Sequence, residues 1–251
     1  MTAPDQQTYP PLNTLKPVTD DVWIVDGPLI TFGPPLLRIP FPTRMTVLRI
    51  GPELLLHSPT PLTAELKAEI AGIGEPAWIV GPNRIHYWWI PEWCEAYRDA
   101  AVYLAPHILE QAGDRLASVS DRCQPLVDRS GYPWDGMIET LPVQGSYMSE
   151  IVLFHRPSRT LVLTDMIENF EPQKLGLLAR VLTWFGGVQH PDGKMPSDLR
   201  LTYRARRAEL RTAVDMMIGW DPARVIVAHG KWYERNGADE LRRAFRWLAN
   251  S

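Results

Sequence analysis

The sequence predicts a mixed α/β (α+β) protein built as a four-layer αββα sandwich, two sheets covered on their outer faces by helices. Three observations predict it. Apolar runs joined by short turns lead the chain as hairpins, a strand–helix–strand unit follows, and strands then alternate with helices to the end. That mixture suits two covered sheets better than one doubly wound parallel sheet. At 251 residues, 45% of them hydrophobic, the chain can bury a substantial core. No Ser/Gly linker, like-charge run or low-complexity tract divides it, so a single domain over 1–251 is expected.

The elements follow in order. Pro10, Pro11, Pro28, Pro34, Pro35, Pro40 and Pro42 forbid a helix and suit extended chain, with residues 1–22 laid across the scaffold. Met45–Ile50 is the first strong strand, Gly51-Pro52 its turn and Glu53–His57 its partner. Pro59–Thr63 breaks the sheet and offers hydroxyl caps. Leu62, Leu66, Ile70 and Ile73 then share one helical face until Gly74. Ala77–Val80 is a short buried strand that runs into the loop Gly81–His86 and the aromatic segment Tyr87–Trp93, and Ala101–Leu104 completes a unit of the kind that builds parallel sheet. Residues 106–133 carry no clear pattern.

The clearest hairpin spans Glu150–Asp165 with Arg156–Arg159 as its turn. His155 then faces Thr160, and counting outward sets Glu150 opposite Asp165, with Val152, Phe154, Leu161 and Leu163 on one face. Helices are expected over Lys174–Trp184 and Ser197 to about Trp220. A last strand, Arg224–Ala228, leads through His229-Gly230 to a helix striped by Leu241, Ala244, Phe245 and Leu248.

Composition removes several classes of function. With 26 Lys plus Arg against 29 Asp plus Glu and a formal charge of -3, no basic field attracts nucleic acid or anionic lipid, and neither is an expected partner. Cys94 and Cys123 form neither a disulfide framework nor a CxxC pair, and a reduced, cytoplasmic setting accounts for them most simply. No secretory pattern opens the chain and no apolar run is long enough to span a bilayer. GxSxG, GxGxxG and P-loop motifs are absent, and Ser58 beside His57 does not make a dyad by adjacency.

Three polar residues stand where buried strands run out into loops: His86, Asp165 and His229. His and Asp are ordinary ligands for zinc or iron, and a sheet holds its strand ends together, so ligands from separate strands can converge. Gly230 allows close backbone approach beside His229. Glu150 adds a second carboxylate opposite Asp165, and two carboxylates repel unless a cation, a shared proton or water intervenes. Each also has a plainer reading: Asp165 as a turn cap, His229 as a turn residue bonded to a carbonyl, and His86 as a packing histidine. His155 lies about 16 Å up the hairpin from Asp165 and is expected to be structural. His57 and Asn83 are candidates to support the ligands or line the cleft. Trp88 and Trp89 fit either a wall above the site or the packing of a short helix. The arginines from Arg200 to Arg211 read as a solvated helix face, with Leu201, Ala208 and Leu210 turned to the core.

Seven stretches carry a resemblance: Trp23–Gly27, Arg44–Val47, Leu56–Pro59, Pro82–His86, Phe154–Leu161, Thr164-Asp165 and Ala228–Gly230. Together they resemble the family catalogued as domain of unknown function 4336, which looks like an outlying branch of the metallo-β-lactamase-like hydrolases. The resemblance implies the αββα sandwich and a site in which Asp165 matches the bridging aspartate and His229 the late histidine of that superfamily. Its HxHxDH cluster is reduced here to His86, and the usual histidine ahead of the aspartate hairpin is missing, with only Glu150 in that region. The expectation is therefore a metal-dependent hydrolase with one divalent ion (zinc, iron or manganese) held by His86, Asp165 and His229, with Glu150 or water completing the set and Asp165 acting in catalysis. Small esters, lactones, thioesters or phosphoesters are the eligible substrates. The rival expectation is a metal-free descendant that binds a ligand or serves as a scaffold.

Overall fold

The computed structural model describes residues 7–32 and 39–249. Eleven strands form two sheets. The first holds seven strands in sequence order, β1 (Lys16–Thr19), β2 (Val22–Phe32), β3 (Ile39–Ile50), β4 (Glu53–His57), β5 (Glu75–Gly81), β6 (Ala101–Leu104) and β7 (Cys123–Pro125). The second holds four, in the order β11 (Arg224–Ile226), β10 (Thr160–Val162), β9 (Ser149–His155) and β8 (Ile138–Gln144). The first sheet begins antiparallel and turns parallel from β4 onward.

Local sequence explains much of this. Ile50 pairs with Glu53 across Gly51-Pro52, and Gly51 takes the positive φ of 60° that the turn requires. Helix α1 (Ala64–Ala71) starts where the Thr63 hydroxyl accepts from the Leu66 N–H, and it buries Leu66 and Ile70. Helix α2 (Ile90–Ala96) buries Ile90 and Trp93 on the same sheet. A short α3 (Ile108–Ala112) and a 3-10 stretch fill the segment that had no clear pattern. In the second sheet β9 is buried along its whole length. Its side chains alternate: Ile151 and Leu153 enter the core between the sheets, while Val152 and Phe154 join Leu161 and Leu163 beneath the outer helices. The hairpin register is the expected one, with His155 opposite Thr160.

Helices α4 (Leu177–Gly186), α5 (Ser197–Thr202), α6 (Arg207–Gly219), α7 (Gly237–Ala244) and α8 (Arg246–Ala249) follow in the second half of the chain. The expected long helix from Ser197 is broken by Tyr203 and a 3-10 turn, and its core face comes from Leu210, Ala213, Val214 and Met217. Leu201 and Ala208 are exposed instead. Arg207 and Arg211 donate to backbone carbonyls of Trp247 and Leu248, so they tie down the end of the chain rather than only facing water.

Strands β1, β2, β7 and β8 lie outside the sequence reading. Pro28 sits where the β2–β3 register shifts, and Pro40 and Pro42 fall on the part of β3 that pairs with β2 alone, where a missing N–H costs no ladder bond. Pro34 and Pro35 lie outside the described residues. Cys94 and Cys123 are free thiols. No described helix is long and apolar enough to cross a membrane.

Candidate metal centre

His86, Asp165 and His229 converge, each offering one ligand atom, and those atoms lie within 4.8 Å of one another. All three stand beyond strand ends. The loop after β5 carries His86, shaped by the Asn83 side chain, whose Oδ1 accepts from the Ile85 N–H at 3.0 Å and whose Nδ2 donates to Thr164 Oγ1 and, at 2.6 Å, to Asp165 Oδ2. Asp165 follows β10. His229 follows β11, and the next residue, Gly230, has φ 92° and passes so close to Asn169 that a Cβ there would lie 2.2 Å from its carbonyl oxygen. Only glycine fits that crossing, which is the close approach expected from the sequence.

The histidines face opposite oxygens of Asp165: His86 Nε2 is 3.2 Å from Oδ2 and His229 Nε2 is 3.1 Å from Oδ1. Their other nitrogens are also occupied. Ser58 Oγ lies 2.6 Å from His86 Nδ1, and the Pro42 carbonyl lies 2.7 Å from His229 Nδ1. A carbonyl can only accept, so Nδ1 of His229 carries a proton, and Nε2 facing the carboxylate is an acceptor unless it carries a second one. Two acceptors at that distance repel unless a proton or a cation lies between them. The donor set therefore fits a small divalent ion: two imidazole Nε2 atoms and a carboxylate, each imidazole held from behind by an oxygen, with both nitrogen–oxygen separations near the roughly 3.3 Å that metal–ligand distances of about 2.0–2.1 Å would give.

Glu150 has a different task from the ligand role expected of it. Its Oε1 accepts from the Thr164 N–H at 2.7 Å, and its Oε2 from those of Asp165 at 2.8 Å and Met166 at 3.0 Å. A loop of consecutive N–H groups answers the charge of the second carboxylate. Burial and the Asp165 charge nevertheless raise Glu150 to about 7. Burial pushes Asp165 upward as well, but the His86 and His229 side chains outweigh it and hold its pKa far below the usual carboxylate range.

His57 is fully buried, is lowered to about 3 by burial and then by His86, and has an unpartnered Nε2. The support expected of it comes from its neighbour Ser58. His155 bonds the turn hydroxyl of Ser158 at 2.7 Å and stands outside the cluster, as its place on the hairpin implied. Trp88 and Trp89 line a cavity of about 600 Å³ that also takes in Ser58, His86, Asp165 and His229.

Two residues of the site were not singled out from sequence. Arg44, on β3, reaches across the sandwich: its guanidinium pairs with Asp26 at 2.7 Å, and its Nη1 donates to the carbonyls of Val227 at 2.6 Å and Gly230 at 2.9 Å, gripping the His229 loop from both sides. Its only sequence signal was membership of a quoted stretch. Glu168 lines the cavity and is raised well above its usual value by burial and then by Asp165, Asp198 and Glu150. Nothing in its sequence context marks it.

The family described as Domain of unknown function (DUF4336) matches residues 20–181, well over half of the chain. No curated protein matches the chain in sequence. Among solved structures, the metallo-β-lactamase of Hirschia baltica superposes with a TM-score of 0.59 at 14% identity, over 94% of this chain and 97% of its own. The DIM-1 metallo-β-lactamase gives 0.60 at 11%, over 93% and 96%. The chemotaxis sensor ODP, solved as a peroxy diiron species, gives 0.56 at 13%, over 95% of each chain. At such identities the likeness establishes a common fold.

Proposed function

The chain belongs to the DUF4336 family and carries a metallo-β-lactamase fold, and from that premise we propose that it is a metal-dependent hydrolase with a reduced, mononuclear site. One observation carries the reading: His229 Nε2 and Asp165 Oδ1 face each other at 3.1 Å with Nδ1 committed to Pro42, the arrangement that two ligands of one cation would take. His86, Asp165 and His229 would hold the ion. When bound, it would supply a Lewis acid that acidifies water at neutral pH.

The chain's own residues do the rest. Asn83 and the Glu150-clamped backbone fix Asp165, whose oxygens orient the attacking water. Ser58 and the Pro42 carbonyl fix the two imidazoles, and the aromatic wall lines the approach to them. An ester, lactone, thioester or phosphoester is the substrate class that this chemistry serves.

A second reading has its own support: the Asp165 carboxylate already meets two histidines and Asn83, a network that a shared proton would complete in a metal-free binding protein. Metal analysis separates the two. Protein purified without chelator or nickel resin should carry or take up about one equivalent of zinc, iron or manganese, and Asp165→Ala and His229→Ala should lose it. Less than about a tenth of an equivalent, with no uptake on titration, favours the metal-free reading.

A further inference from the structure

We propose that the cavity takes an uncharged substrate with a long apolar chain, a neutral lipophilic ester, thioester or lactone rather than a phosphoester or other anion; the bond cleaved rests on the hydrolase reading, the ligand class on the cavity alone. At about 600 Å³ the space has the size of a small-molecule site. The cluster of His86, Asp165 and His229 forms one part of its wall, and Phe41, Trp88, Trp89, Leu182 and Phe185 form much of the rest.

Charge narrows the ligand further. Among the described lining residues the acids are Asp165, Glu168 and Asp198, and besides His86 and His229 there is no basic side chain, neither lysine nor arginine. Arg84 and Arg115 stack on the rings of Tyr147 and Trp88 and contribute nothing to the wall. A metal ion apart, phosphate and carboxylate recognition rests on guanidinium forks, ammonium groups or unopposed helix N-termini. Here α4 presents its C-terminal end to the cavity through Phe185 and Gly186, and the first turn of α5 is already countered by Asp198.

The mouth extends the same chemistry outward. On α4, Leu177, Leu178, Val181, Trp184 and Phe185 are all exposed, Leu177 at 81% and Phe185 at 71%. Their spacing puts them on one face of the helix, the stripe that normally packs into a core. The cations of residues 172–191 are Lys174 and Arg180, and Lys174 is engaged by the Thr8 carbonyl and the Tyr9 ring. Phe185 belongs both to the cavity wall and to this apron, so a chain longer than the cavity would continue along the helix.

Calorimetric titration of metal-free protein tests the assignment, because without the metal none of the probes is turned over. N-methyldecanamide should bind at least tenfold more tightly than decanoate or decyl phosphate, and N-methylacetamide should show no measurable binding. Leu182→Lys, or the more exposed Phe185→Lys if the first variant does not fold, should weaken the amide at least tenfold and strengthen decanoate. Equal or tighter binding of either anion by the unmodified protein, or binding unchanged in the lysine variant, overturns the proposal. Zinc- or manganese-loaded protein should then cleave 4-nitrophenyl decanoate with a higher kcat/KM than 4-nitrophenyl acetate. The amide preference without cleavage of either ester sinks the hydrolase reading and supports the ligand class. Cleavage of the acetate or of 4-nitrophenyl phosphate at equal or higher efficiency supports hydrolysis and overturns the ligand class.

Discussion

Replacing Arg44 by methionine should damage both the fold and the metal centre, because the side chain belongs to both. The guanidinium is nearly inaccessible, with its side chain 2% exposed and that of Asp26 4%. Removing one member of a buried ion pair costs about 3–5 kcal/mol when the other charge is stranded. Lys16 still reaches the other Asp26 oxygen at 2.8 Å, which puts the electrostatic part near the lower end, about 3 kcal/mol. The carbonyls of Val227 and Gly230 would each lose a charged donor, adding about 1 kcal/mol apiece. The expected loss is about 4–5 kcal/mol, a large share of the roughly 5–15 kcal/mol that stabilises an ordinary domain. Urea denaturation measures it, and zinc titration of the folded fraction should show weaker uptake, since the released carbonyls flank His229. Asp26→Leu combined with Arg44→Met should cost less than Arg44→Met alone, because the buried Asp26 charge is no longer stranded and the cation that loses its partner, Lys16, is 23% exposed and reaches water. A loss under about 1 kcal/mol, or a double variant worse than the single one, would refute the reasoning.

Three further outcomes are expected. Gly230→Ala places a methyl group 2.2 Å from the Asn169 carbonyl at a φ of 92° and should cost about 3 kcal/mol or more in thermal or urea unfolding; a cost below about 1 kcal/mol would mean that the crossing yields easily. Asn83→Ala removes the 2.6 Å bond to Asp165 and should weaken metal binding about 10–100-fold by titration, whereas unchanged affinity would show that Asp165 needs no such support. His57, lowered to about 3, resists a proton that the unfolded chain accepts near pH 6.5, so its contribution is present above that pH and is lost as pH falls. Between pH 7 and pH 5 the native protein should lose about 2 kcal/mol more stability than His57→Gln, and parallel pH profiles for the two would exclude that role.

What the sequence made legible was whatever depends on periodicity and turn chemistry. The Glu150–Asp165 hairpin could be counted out from Arg156–Arg159 because side chains alternate in a strand, and the register of His155 against Thr160 follows. Three strand exits pointed to His86, Asp165 and His229, and the fold brings those residues together. The supporting parts were hidden for physical reasons. The Pro42 oxygen is a backbone atom that every residue possesses, so no residue type announces it. Arg44 acts on carbonyls of residues 227 and 230, a partnership that exists only once the two sheets pack. Glu150 was read against the charge of Asp165, while its actual partners are backbone N–H groups that the turn after β10 aims inward. Strand β8 includes Pro142 and polar Glu139 and Thr140, which blur its alternation.

The candidate centre also lies on a seam. His86 belongs to the seven-stranded sheet and Asp165 and His229 to the four-stranded one, while Arg44, Ser58 and Pro42 reach from the first sheet to the same point. A cation held there would act as a rivet through two plates, and its affinity would gauge their alignment. Sliding one sheet by a single residue, about 3.3 Å, would part His86 from both Asp165 and His229 and draw the Pro42 carbonyl away from His229. Substitutions in the core between the sheets, far from any ligand, would thus register first as lost metal.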